Sequence, residues 1–276
     1  MFLKKTIFGL IAGPFVLYIV VWGNWLLIGL TLFAVTAGLA EFYGLLRQNG
    51  FKPLFWAGMA LGWVFMIMAW HDSGTTVQFL VTAGVIGVFV IQFLQARWGA
   101  VRYTISDLAL TLFGSVYVGG LLSYAFGMKG IYEQYYGGIY PHDVIVVIPL
   151  AGAWASDSGA SFAGKFLGRT PLCPEISPKK TVEGAVGGVA GGMAAVVLIG
   201  ALAAIPLRHT LVLGLLCGFF GQLGDLTESS FKREMGVKDT GTLMMHSGGV
   251  LDRIDSILFS IPVTYYYFHF FIIPAL

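Results

Sequence analysis

Charge is what this sequence has least of. Only 11% of its 276 residues are Asp, Glu, Lys or Arg, against about 25% in an average soluble domain. With 57% apolar residues and a mean hydropathy of +0.81, that scarcity excludes disorder and a soluble α/β fold and leaves an integral membrane protein. Cysteine is nearly absent too: Cys173 and Cys217 stand far apart, with no CxxC, CxxH or paired-histidine spacing, so neither a zinc site nor a disulfide framework is indicated. A net charge of +2 and the lack of any long Lys/Arg run exclude nucleic acid as a partner. The first apolar run follows Lys4 and Lys5 like a signal peptide, but Trp22-Gly23-Asn24-Trp25 is no A-x-A cleavage site, so it is expected to remain as a span.

What the chain has in plenty is apolar runs of membrane-crossing length, about 20 residues each. Nine are expected, at Ile7–Trp22, Trp25–Leu46, Leu54–Trp70, Thr75–Leu94, Thr104–Met128, Asp143–Gly164, Val182–Leu207, Thr210–Ser230 and Val250–Phe270. The fold class is therefore all-α, a polytopic membrane protein of about nine helices. With nine spans, 14 of the 16 Lys and Arg residues fall on the N-terminal side, leaving only Lys129 and Arg208 opposite. A missed span would destroy that asymmetry, so it supports both the count and a cytoplasmic N-terminus, with the C-terminus outside. The location implied is a plasma membrane or cell inner membrane.

Charge is also concentrated along the chain. Asp157 to Glu183 holds 7 ionisable acids and bases and Asp225 to Asp255 holds 10, which is 17 of 30 in 58 residues. Residues 1–142 read as a scaffold of about five helices, in which Glu41 and Asp107 are expected to be packing partners. Residues 143–276 read as a catalytic region of about four helices, with cytoplasmic loops at 165–181 and 231–249. Carboxylates are costly in a bilayer, so Asp157, Asp225, Glu228, Asp252 and Asp255 need a structural or chemical reason.

Three segments offer one. Trp154-Ala-Ser-Asp-Ser-Gly-Ala-Ser-Phe-Ala-Gly-Lys165 is small and polar, which permits either a tight helix crossing or close approach of a ligand to Asp157. In Ile176-Ser-Pro-Lys-Lys-Thr-Val-Glu-Gly184, Pro178 stops any preceding helix. Ser177, Thr181 and the N–H groups of a new helix beside Lys179 and Lys180 could cradle phosphate, or the lysines could serve only as a topology signal. Gly184, Gly188 and Gly192, with Gly187 and Gly191, are assigned to helix packing. The third segment pairs Asp225 with Glu228 and Asp252 with Asp255, each at i, i+3, while Lys232, Arg233, Lys238 and Asp239 lie between. Carboxylates on two helices beside several cations suit Mg²⁺ bridged to substrate phosphates, or alternatively a set of interhelical ion pairs.

Ser229-x-Phe-Lys-Arg-x4-Lys-Asp-x-Gly followed by Gly-Gly-x-Leu-Asp-Arg-Ile-Asp255 resembles the signature of phosphatidate cytidylyltransferases, or CDP-diacylglycerol synthases. Asp157-Ser-Gly-Ala-x3-Gly-Lys and Ser177-Pro-Lys-Lys-Thr-x-Glu-Gly184 are similar to the same family in order and spacing, so the likeness covers roughly residues 150–260. It implies a transferase acting on CTP and phosphatidate at the bilayer, with Mg²⁺ or another divalent cation, one ion or two. The resemblance places the metal carboxylates at Asp225 and Asp252, and the expected metal set extends to Glu228 and Asp255. Lys180, Lys232 and Arg233 join Asp225 and Asp252 as expected catalytic groups; Asp157, Ser177, Lys179, Thr181, Lys238, Asp239 and Arg253 are expected to bind substrate. One departure is visible: Met245-His246-Ser247-Gly248-Gly249 stands where the family usually has Pro-Gly-His-Gly-Gly. Rival readings are a polyprenol or phytol kinase, a cytidylyltransferase for another lipid phosphate, an ion-coupled transporter, or a scaffold. The glycine faces could pack within one chain or between two, as in a homodimer.

Overall fold

A backbone in hydrocarbon must satisfy its own N–H and C=O groups, and the apolar runs do so as helices. A computed structural model describes residues 13–71, 74–98, 103–131, 144–241 and 248–275. Among these residues a helix lies in each of the expected runs, of which residues 7–12 fall outside the described residues. They are α1 (Gly13–Trp22), α2 (Asn24–Gln48), α3 (Phe55–His71), α4 (Gly74–Trp98), α5 (Ile105–Gly114), continued through a π-helical turn at Ser115–Gly120 into α6 (Leu121–Ile131), α7 (Val144–Leu167), α8 (Val182–Leu202), α9 (Leu207–Glu234) and α10 (Leu251–Tyr267). Five of the rods are long and apolar enough for a full crossing: Trp25–Gln48, Ile105–Ile131, Ile145–Leu167, Val182–Leu202 and Leu207–Glu234. Large apolar side chains face outward, with Trp25 82% and Trp56 74% exposed. Such a surface suits lipid rather than water. This is an all-α, multi-pass membrane protein.

Glycine sets the packing of the C-terminal helices. The buried face of α8 is Gly184, Gly188, Gly192, Val196 and Gly200, one residue every four. A Cβ on Gly159 of α7 would lie 2.6 Å from Gly187 O, and one on Gly191 would lie 2.8 Å from Ala155 O. Backbone therefore lies on backbone across the α7–α8 seam, as the glycine spacing predicts. The buried core runs through both parts of the chain. Phe42 of α2 stacks on Phe231 of α9 with centroids 4.7 Å apart, and Tyr117 of the π turn meets Phe259 of α10 edge-on.

Two expected loops are shorter and more ordered than the sequence suggests. α7 continues to Leu167, and after it β1 (Pro171–Cys173) pairs antiparallel with β2 (Ser177–Thr181). Glu183 fastens the base of this hairpin by accepting from the Arg169 and Thr170 N–H groups. Helix α9 likewise runs to Glu234, so residues 231–234, including Lys232 and Arg233, are helical and only the stretch after them is loop. The polar residues there complete the last turn, with Met235 N–H bonded to Phe231 O.

Candidate active site

A polar cavity of about 410 Å³ opens between α7, the hairpin, the start of α8 and α9. Asp157, Lys165, Lys179, Lys180, Thr181 and Asp225 line it. Each arrives for a local reason. The hairpin folds Lys179 and Lys180 back over the membrane helices, and Thr181 ends β2 by capping α8, its Oγ1 accepting from Gly184 N–H at 3.1 Å. Asp225 is held on α9, where Ser229 Oγ donates to Oδ1 at 3.4 Å, while Oδ2 lies 2.6 Å from Lys180 Nζ. Gln222, one turn earlier, donates to Ser156 Oγ and Ala185 O and ties α9 to α7 and α8 beneath the cavity.

Deeper in, a second polar cluster joins α9 to α10. Lys232 Nζ stands 2.9 Å from Glu228 Oε2 and 2.6 Å from Asp252 Oδ1. The other oxygen of Asp252 accepts from Thr240 N–H (2.9 Å), Thr240 Oγ (3.0 Å) and Gly249 N–H (2.7 Å). Asp255 and Asp157 are linked through Ser256, whose Oγ lies 3.2 Å from Asp255 Oδ1 and 3.4 Å from Asp157 Oδ2. A buried run of carboxylates, lysines and hydroxyls thus connects the cavity to the start of α10.

Asp157 also lines a second cavity of about 520 Å³. That space is walled by apolar residues of α1, α2, α6, α7 and α10, such as Val20, Leu27, Leu122, Trp154 and Ile257, with Arg253 among its few charged groups. A polar chamber and an apolar one therefore share one residue.

A sequence profile of the cytidylyltransferase family matches residues 3–271. The chain belongs to the cytidylyltransferase family. It is 34% identical to a phosphatidate cytidylyltransferase of Synechocystis over 271 residues, 89% of each chain. It is 31% identical to one of Bacillus subtilis over 274 residues, 95% of this chain and 96% of that one, and 34% identical to one of Brucella suis over 259 residues, 90% and 87%.

In this cytidylyltransferase the structure brings Asp157, Lys179, Lys180, Thr181 and Asp225 to the polar cavity and Glu228, Lys232 and Asp252 to the cluster behind it. Asp255 is buried between them, accepting from Ser256 N–H at 2.6 Å. Arg233 turns away: its Nε donates to Ile176 O and its Nη1 to Val237 O, which fixes the hairpin against the loop. Lys238 and Asp239 are exposed on that loop, and Ser177 sits opposite Cys173 at the other end of β2. His246 and Ser247, where the sequence departs from the family pattern, lie outside the described residues. Thr240, Gln222 and Ser256 carry no charge or motif spacing that would have drawn attention to them.

Among the described residues, no three His, Cys, Asp or Glu side chains group as a closed metal cage. Mg²⁺ does not require one, since it is commonly held by one or two carboxylates together with water and substrate phosphates. Asp225 fits that use: it borders the polar cavity, its side chain is 28% exposed, and its oxygens are hard donors. Asp252 carries the same hard donors behind the cavity lining, with Oδ1 held by Lys232 and its side chain 10% exposed, and Glu228 is buried against the same lysine.

Proposed function

We propose that this chain transfers CMP from CTP to phosphatidate, giving CDP-diacylglycerol and pyrophosphate for phospholipid synthesis. The observation that carries this reading is the meeting of a lysine-lined polar cavity and an apolar cavity at Asp157. A reaction between a water-soluble triphosphate and a membrane lipid needs such a junction. The triphosphate belongs in the polar chamber against Lys179, Lys180 and Lys165, whose positive charge offsets that of the phosphates. The acyl chains belong in the apolar chamber, with Arg253 placed to meet the lipid phosphate at its edge. Lateral entry from the bilayer would deliver the lipid without a soluble domain.

In this mechanism an oxygen of the phosphatidate phosphate attacks the α-phosphorus of CTP. A new P–O bond forms as the bond to the oxygen bridging α- and β-phosphorus breaks, and pyrophosphate departs with that electron pair. Phosphatidate is already an anion at neutral pH, so no strong base is required, and positioning with charge neutralisation supplies the rate. A divalent cation held by Asp225 and Asp252 would neutralise phosphate charge and polarise the α-phosphoryl group. Lys180 and Lys232, which pair with those two carboxylates, would then turn to phosphate oxygens. The charge asymmetry of the sequence supports a cytoplasmic N-terminus and polar chamber, on the side where CTP is found, with the C-terminus outside.

Purified protein in detergent, given phosphatidate, Mg²⁺ and CTP labelled on either the α- or the γ-phosphorus, tests the reading. Label from α-³²P in the lipid fraction, lost with EDTA, is expected. Transfer of γ-³²P instead would make the chain a lipid kinase and overturn the proposal.

A further inference from the structure

We infer that Glu41, far from the signature segments, is a positioning residue for Asp252. The inference rests on the assignment of Asp252 as a site carboxylate, and its evidence is geometric. Glu41 lies on α2 and is only 8% exposed. Its Oε1 accepts from Val250 N–H at 2.9 Å and its Oε2 from Leu251 N–H at 2.9 Å, two of the free donors at the start of α10. Oε2 also lies 3.2 Å from Thr240 Oγ1, the same hydroxyl that stands 3.0 Å from Asp252 Oδ2. Glu41 therefore accepts from the backbone just before Asp252 and shares with Asp252 the single hydroxyl proton of Thr240, whose N–H also donates to Asp252.

The chain closes tightly on this carboxylate. A Cβ on Gly241 would lie 2.5 Å from Glu41 Oε1, and one on Gly249 would collide with Glu41 Oε2 and Thr240 Oγ1. The two glycines let the chain close around the carboxylate on both sides. A helix cap alone would not need this. Asp107 shows the difference: it too is a buried carboxylate from the N-terminal half, it forms a capping box with Thr104, and it accepts from Lys52 N–H at 2.6 Å. None of those partners touches the polar cluster. Outer carboxylates that orient a ligand group commonly change metal affinity by about 10–100-fold when removed.

The test compares wild type with Glu41→Gln, Asp107→Asn, Thr240→Val, Thr240→Ser and Asp252→Asn in detergent. Glu41→Gln keeps the shape but replaces one acceptor with an NH₂ group facing an N–H donor. Hydrogen exchange should speed up by at least about tenfold at Thr240 and at 249–252 in Glu41→Gln and stay at the wild-type rate there in Asp107→Asn. Mn²⁺ affinity, read by electron paramagnetic resonance, should fall at least about tenfold in Glu41→Gln and in Thr240→Val, and recover in Thr240→Ser. Exchange confined to wild-type rates in Glu41→Gln, or raised equally across the whole chain in both carboxylate variants, overturns the proposal. So does wild-type Mn²⁺ binding in Glu41→Gln or Thr240→Val when Asp252→Asn has lost it. If Asp252→Asn binds Mn²⁺ like wild type, the metal assignment is what fails, and the local exchange rates alone decide the role of Glu41. Should Glu41→Gln not fold, Glu41→Asp carries the decision by the same two measurements, because it keeps the charge but draws the carboxylate back from the Val250 and Leu251 N–H groups.

Discussion

Lys180 and Asp225 meet at 2.6 Å across the polar cavity, one brought by the hairpin and the other by α9. Both side chains remain about a quarter exposed, 27% and 28%. Such a pair contributes at most about 1 kcal/mol to stability, so its importance lies in what the two groups do when substrate arrives. Lys180→Ala should lower kcat/KM about 100-fold, near 2.7 kcal/mol of transition-state stabilisation, with little change in thermal midpoint. Steady-state kinetics beside a thermal melt would check this. A loss of rate that merely follows a loss of folded protein would contradict it.

Lys232 has the opposite character. It is shut between Glu228 and Asp252, and both carboxylates lose their cation in Lys232→Met. Breaking a buried pair from one side costs about 3–5 kcal/mol, so the unfolding midpoint should drop sharply. Adding Glu228→Gln should recover part of that loss without restoring activity, because the two changes share one partner.

Gly248 and Gly236 both hold positive φ, 86° and 68°. Alanine at either pays the left-handed conformational cost of about 1–2 kcal/mol. They differ in surroundings: a Cβ on Gly248 would sit 2.7 Å from Asp252 Oδ2, while one on Gly236 meets nothing within 4 Å. Both substitutions should lower stability to a similar degree, and only Gly248→Ala should also reduce turnover. Equal kinetics in the two would detach Asp252 from the reaction.

The α7–α8 seam makes a packing prediction. Gly159→Ala pushes a methyl into Gly187 O and should cost about 1–3 kcal/mol. Gly44→Ala, on α2 with open space around the new methyl, should be neutral or mildly stabilising. Melting the two variants side by side in one detergent would settle the comparison.

Filling the apolar cavity should separate the two substrates. Ile257→Trp narrows that space and should raise KM for long-chain phosphatidate several-fold while KM for CTP stays as in wild type. An equal rise for both would place the acyl chains elsewhere.

The helices and the glycine seam were legible because hydropathy and a four-residue glycine beat are properties of single segments. Asp157, Lys180, Asp225, Lys232 and Asp252 were legible because a charge in an apolar run demands explanation. Their division into an open cavity and a buried cluster was not legible, since it depends on how α9 rotates against α10. Arg233 adjoins Lys232 in sequence, yet neighbouring helical positions point about 100° apart, and so one binds carboxylates while the other binds the hairpin backbone. The hairpin itself hid behind Pro178 and two lysines, a composition that resembles loop. Glu41 was visible as a buried charge, but its partners lie some 200 residues away, and no local pattern announces them.

That long reach bears on how small an active fragment can be. A piece starting near residue 143 would contain every signature residue and still lack the carboxylate that receives Val250 and Leu251. Supplying residues 1–142 as a separate polypeptide in the same membrane should restore what the fragment alone lacks, provided it carries Glu41. On that outcome residues 1–142, which hold none of the signature segments, would be a required part of the enzyme, and split-chain complementation becomes a way to select for its residues.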